Sequence, residues 1–97
     1  MERMITEAIN NRKLVEFDYS DEVRIVEPYT FGVSSTGKDV LSAFQVEGGS
    51  TSSDDLGWRL FSIEKIDNLR VSDIGFQSER DGYNPDDSRM QEIYVTV

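Results

Sequence analysis

Cysteine and histidine are both absent from this chain of 97 residues. Without cysteine there is no disulfide framework, no thiolate nucleophile and no cysteine-type zinc site, which suits a reducing compartment. Without histidine the commonest nucleophilic triad cannot be built, because a Ser or Thr hydroxyl needs a base beside it. A carboxylate pair of the glycosidase kind stays open, but so small a domain offers little cleft for a sugar chain. No enzymatic activity is expected. No apolar run approaches the roughly 20 residues of a membrane-spanning helix. Met1 to Ala8 carries Glu2, Arg3 and Glu7, unlike a signal peptide, so no membrane is expected and the cytoplasm is the expected location. Positive charge is scarce as well: ten basic residues face nineteen acidic ones, for a net charge of −9. A surface of that sign repels phosphate backbones at long range, which argues against direct binding of duplex DNA.

Hydrophobic residues make up 37% of the chain, enough for one core, while a mean hydropathy of −0.48 keeps much of it in water. One domain is expected at this length. Met1, Met4, Ile5, Ala8 and Ile9 follow the spacing of a helix with one apolar face, and Asn10-Asn11 stops it, which gives a helix over 2–11. From Leu14 to Tyr19 the period becomes two, with Val15, Phe17 and Tyr19 on one side, as in a half-buried strand. After the polar turn Ser20-Asp21-Glu22, the segment Val23 to Phe31 is rich in β-branched and aromatic residues and is interrupted at Pro28, which suits an edge or a bulge. Gly32 to Gly37 supplies the next turn. Val40 to Val46, Trp58 to Ile63 and Leu69 to Ser72 read as further strands, with a helical turn from Glu64 to Asn68. Glu47 to Gly57 reads as a mobile hairpin loop.

Five short strands behind one helix fit a small β-barrel in a mostly β (α+β) domain over residues 1–74. Residues 75–97 read as an acidic extension of that domain, irregular at first, with a candidate strand at 91–97 where Ile93, Val95 and Val97 alternate with Tyr94 and Thr96. Tyr29, Phe31 and Phe44 are assigned to the core.

Taken in order, Ile5 to Ile9, Arg12-Lys13-Leu14-Val15-Glu16-Phe17-Asp18-Tyr19 and Arg24-Ile25-Val26-Glu27-Pro28-Tyr29 resemble the opening of the WYL domain. Gly37-Lys38-Asp39-Val40-Leu41-Ser42-Ala43 stands where that family carries its Trp-Tyr-Leu strand, with Leu41 retained. Arg59-Leu60-Phe61-Ser62-Ile63-Glu64-Lys65-Ile66 is similar to the family's later Arg, Phe and Ile pattern through Arg59, Phe61 and Ile66, with departures at Ser62 and Lys65. The resemblance spans about residues 4 to 73, apart from 47–57. It implies an SH3- or Sm-like five-stranded barrel behind an N-terminal helix, used as a regulatory sensor of small ligands or nucleic-acid ends. With no helix-turn-helix segment, the chain is expected to be a stand-alone member of that kind.

Strand parity singles out two arginines. Arg59 shares a face with Phe61 and Ile63, and Arg24 stands in the same relation to Val26, so each charge lies in line with a core row and must reach the rim or find a partner. Converging at the barrel mouth with Lys65 nearby, they form an anion-binding set for a small anionic ligand or short oligonucleotide; alternatively, each pairs with a loop carboxylate. Tyr19 and Trp58 offer ring faces on which a base stacks, or else they are packing. Arg12 and Lys13 follow the helix C-terminus, where the macrodipole favours positive charge.

The acidic clusters do not make a metal site. Asp81 to Glu92 has the length of an EF-hand loop, but Tyr83, Pro85 and Asp86 stand where oxygen ligands and a glycine are needed. Asp54-Asp55 and Asp86-Asp87 read as solvated loop charges, Gly48-Gly49 lacks the lysine and following helix of a phosphate loop, and no cofactor is expected. The competing reading is a protein-interaction module, with the strand at 91–97 or the acidic tail docking on a partner protein or on a second copy as a homodimer.

Overall fold

The helical spacing of Ile5, Ala8 and Ile9 is realised in α1 (Glu2–Asn11), and those three side chains are the buried ones of the helix. The helix ends where Arg12 turns into the left-handed region at φ 55°, with its backbone N–H on the carbonyls of Ala8 and Ile9. Arg12 Nη1 also donates to the Ile9 oxygen at 2.8 Å, so this residue caps the free carbonyls by backbone and side chain together. The computed structural model describes residues 1–48, 56–84 and 88–97. Most of the loop expected at 47–57, the Asp54-Asp55 pair, Gly49 and the Asp86-Asp87 pair lie outside the described residues.

Six antiparallel strands follow: β1 (Lys13–Tyr19), β2 (Glu22–Ser34), β3 (Asp39–Gly48), β4 (Gly57–Ser62), β5 (Asp67–Gly75) and β6 (Met90–Thr96), with a 3₁₀ turn over Ile63–Lys65. They form one sheet in the order β4-β3-β2-β1-β5, with β6 paired to β2. The five strands expected over residues 1–74 are present, and the candidate strand at 91–97 is the sixth, β6. Closure into a barrel is corrected, since among the described residues no ladder joins β4 to β5.

The organising element is β2. Ser20 and Asp21, both at positive φ, make a two-residue turn whose twist matches the β1–β2 hairpin. One edge of β2 pairs with β3 from Arg24 to Val33. The other edge pairs with β1 up to Val26 and with β6 from Thr30 onward. The change of partner falls at Pro28, which has no N–H to donate, and the β2–β3 register shifts there as well. Of the two settings expected for Pro28, the structure takes the bulge, in a central strand. Gly32 lies within β2 and not in a turn: a Cβ there would run into the Glu92 carbonyl oxygen, and its Cα-only surface lets β6 approach.

The inner face of the sheet carries the core. Val15, Phe17, Val26, Phe31, Leu41 and Phe61 are buried against Ile5, Ala8 and Ile9 of α1, with Ile63 and Ile66 closing one end. Burying a side chain of this size is worth about 1.5–3 kcal/mol. The outer face has a second, aromatic cluster. Tyr29, the residue displaced by the Pro28 bulge, is fully buried yet lies outside the main core, with Trp58 and Phe76 at 4.7 and 5.4 Å between ring centroids. Phe44 belongs to this second cluster, half-buried against Trp58 at 5.6 Å, so its assignment to the core is corrected. Ser42 and Phe44 alternate with Leu41 and Ala43, and in a flat β-period that puts them on the opposite side.

Residues 76–84 cross the outer face as a strap with no helix or strand of its own. Side-chain bonds and single backbone bonds hold it there. Trp58 Nε1 donates to the Asp81 carbonyl at 2.7 Å, the Tyr83 hydroxyl lies 2.6 Å from Thr96 Oγ1, and the Phe76 N–H donates to the Arg12 carbonyl at 2.9 Å. Gly82, at φ 90°, lets the chain turn directly over Trp58, since a Cβ would lie 2.7 Å from Nε1. No helix among the described residues is long and apolar enough to cross a membrane.

Candidate functional site

The inner face ends in polar residues beyond Val26 and Ala43. One inward place further along β2 stands Arg24, only 6% exposed. Its Nη1 donates to Oε1 of Gln45 at 3.2 Å, and Gln45 is itself fully buried. Its Nη2 reaches the Tyr19 carbonyl at 3.4 Å and the Glu22 carboxylate at 3.5 Å, both at the long end of hydrogen-bond range. Glu22 is 42% exposed, so its carboxylate is largely hydrated and a weak counter-ion. The Arg24 Nε–H is buried with no acceptor among the described residues. A buried guanidinium has five donors in a fixed fork, and leaving one unpaired costs about 1–3 kcal/mol. This end of the sheet therefore holds a desolvated cation whose donors are incompletely used.

Tyr19 completes one wall. The Arg24 guanidinium carbon lies 5.8 Å from its ring centre. The ring is fixed edge-on to Phe61 at 5.1 Å and to Phe17 at 6.3 Å, and its hydroxyl accepts the Ser62 N–H at 3.2 Å. That last bond links the end of β1 to the end of β4, three strands away in the sheet order, so the sheet curls around the core even though its edges do not pair. Arg59, half-buried, stands across from Ala43 on β4 and shares the inward parity of Phe61, one strand beyond Gln45.

The structure brings Arg24 and Tyr19 into contact and sets Arg59 on the same face. The other two expected residues are elsewhere. Lys65 is exposed and lines a groove with Asp18, Asp21 and Asp67, where carboxylates dominate. Trp58 is three residues from Phe61, an odd step that turns it to the outer face, where it stacks at 26° on Tyr83 with centroids 6.4 Å apart. It is held by Tyr29, Phe44 and the strap. The 3₁₀ turn is shorter than the expected Glu64 to Asn68, and Asn68 itself sits in β5 at φ 55°. Lys13 Nζ donates to the Asp73 carbonyl at 3.1 Å, tying β1 to β5.

A second charged constellation, not foreseen from the sequence, lies on the outer face. Glu27, 7% exposed, takes a two-pronged contact from Arg80, with Nη2 to Oε2 at 2.8 Å and Nε to Oε1 at 3.2 Å. The Tyr29 hydroxyl donates to the same carboxylate at 3.3 Å. The Arg80 guanidinium carbon lies 4.1 Å above the Phe44 ring. Burial raises the Tyr29 phenol above its ordinary value, and the Glu27 charge raises it further. The bond to Glu27 raises Arg80 in turn. The available signal was Glu27 itself, a lone carboxylate between Val26 and Pro28 in an apolar strand, which demands a partner. Gln45, an amide in line with Leu41 and Ala43, is the matching signal for Arg24. Comparison with known proteins adds no relative: no protein-family model, no curated protein and no solved structure matches this chain.

Proposed function

We propose that this chain is a non-enzymatic, WYL-like regulatory module that binds a small anionic ligand, a nucleotide or a short single strand at Arg24. The curled sheet with Tyr19 bonded to Ser62 is then an opened variant of the SH3/Sm-like barrel, and Arg24 lies at its mouth. One observation carries the reading: among the described residues, the buried Arg24 guanidinium has an Nε–H without an acceptor and only the exposed Glu22 as a counter-ion. An incoming phosphate or carboxylate replaces Glu22 and forks onto the guanidinium, exchanging a long single contact at 3.5 Å for a two-pronged charge-assisted pair. Tyr19 offers the adjoining ring face for a base, and Arg59 adds positive charge on the same side. Lys65 and Trp58 take no part in this version of the site.

Thermal denaturation of the intact chain with inorganic phosphate, nucleotides and short single-stranded oligonucleotides tests the reading. Ligand at about 100 times its Kd adds ~2.7 kcal/mol, a rise on the order of 10 °C for a domain of this size. The rise is expected to vanish in Arg24→Ala. No shift with any anion, or an undiminished shift in that variant, would overturn the assignment.

A second reading has its own support. Among the described residues β6 pairs with β2 alone, and it exposes Ile93 at 38% and Tyr94 at 52%. An apolar strand with an unpaired edge favours sheet extension onto a second copy or a partner strand. If this edge makes a homodimer, Ile93→Lys converts the dimer mass to that of the monomer in sedimentation; a monomeric wild-type chain, or a dimer indifferent to the change, removes the homodimer form of this reading.

A further inference from the structure

Arg80 is held in a way that describes a binding site as much as a structural contact. Both Glu27 oxygens are engaged by two adjacent guanidinium nitrogens at 2.8 and 3.2 Å, and the Phe44 ring covers the flat cation at 4.1 Å. Tyr29 adds its hydroxyl to the carboxylate, and its ring packs with Trp58 beside it. A buried carboxylate with a planar fork partner and an aromatic lid selects guanidinium over ammonium, because only guanidinium presents two parallel N–H bonds and a stacking face at once.

The receptor half of this arrangement sits on the sheet, in β2 and β3. The occupant comes from the strap, which lacks a ladder to the sheet and is held by side-chain and single backbone bonds. Segments attached in this manner open locally at a fraction of the global unfolding free energy. Beside Arg80 lies a cavity of about 660 Å³ whose lining includes Glu27, Glu79 and Asp81. Three carboxylates at its wall, on a chain of net charge −9, favour a basic visitor.

We propose that the outer face carries a guanidinium-binding site, formed by Glu27, Tyr29 and Phe44, which Arg80 fills in cis and an arginine side chain of a basic peptide fills in trans when the strap lifts. Arg80 then acts as a built-in competitor. It lowers the apparent affinity for the visiting arginine by the fraction of time the strap is closed. This site is independent of Arg24, which lies on the inner face.

The test uses the full chain, the peptides acetyl-Gly-Arg-Gly-amide and acetyl-Gly-Lys-Gly-amide, and the fluorescence of Trp58, the single tryptophan, which sits under the strap. Arg80→Ala is expected to bind the arginine peptide at least about tenfold more tightly than the wild-type chain does, by relief of the internal competitor. The lysine peptide should bind it more weakly, and Glu27→Gln in the same background should abolish the preference. Where loss of Arg80 unfolds the chain, the arginine peptide should restore its circular dichroism and the lysine peptide should not. Equal response to the two peptides, no binding to a folded Arg80→Ala chain, or no rescue of an unfolded one would overturn the proposal.

Discussion

At the scale of single residues, two buried charges on opposite faces of one strand behave differently because their partners differ. Glu27 is matched by a guanidinium that uses both carboxylate oxygens. Arg24 has a long contact to an exposed carboxylate and an idle donor. An idle buried donor offers an incoming anion a hydrogen bond without first breaking one, whereas a visitor to Glu27 has to displace Arg80. On the proposed reading, Glu22 is the group an incoming anion displaces. Glu22→Gln is therefore expected to tighten phosphate or nucleotide binding severalfold in a calorimetric titration; weaker binding would mean that Glu22 positions Arg24 and does not compete for it. The inward parity of Arg24 and Arg59 was legible from alternation alone. The same rule, carried three residues from Phe61 back to Trp58, places the indole on the other face, so its separation from Tyr19 was legible too. The position of Lys65 was not, because a residue in a turn has no parity to extrapolate.

At the scale of elements, the helix, the first five strands and the strand at the C-terminus all occur close to where periodicity placed them, since amphipathic spacing and turn residues are local properties. What each strand pairs with is not local. Nothing in the alternation of Ile93, Val95 and Val97 says that β6 pairs with the second half of β2, where β1 has already left. That pairing depends on Pro28 ending one ladder and on Gly32 admitting the neighbouring backbone. Gly32→Ala places a methyl group against the Glu92 carbonyl. It is expected to detach β6 and to destabilise the domain by about 2–4 kcal/mol, within the range for steric overpacking and loss of buried apolar contacts. Urea denaturation measures the cost, and amide exchange across residues 90–96 locates it. A variant as stable as the parent, with β6 still protected, would show that the close approach is not what seats this strand.

At the scale of the whole molecule, the sheet carries a different cluster on each face. The inner face wraps a helix and a continuous core, and the curl that brings Tyr19 to Ser62 also leaves Arg24 at the end of that core. The outer face keeps a separate aromatic cluster beneath the strap. A radius of gyration of 12.2 Å is what a compact chain of this length has, about 12–13 Å. The overall negative charge works against long polyanions, so the ligands proposed for a single buried guanidinium are short, locally recognised anions. The barrel expectation failed for a reason of this scale: strand count and length were readable, but closure depends on whether the two edge strands meet. The most direct measurement is the side-chain NMR spectrum of the arginines during titration with inorganic phosphate and a short oligonucleotide. The Arg24 Nε–H resonance, idle in the free chain, is expected to move downfield and slow its exchange with water as its acceptor arrives, saturating with the bulk binding curve. Saturated binding that leaves this resonance unmoved would contradict the account.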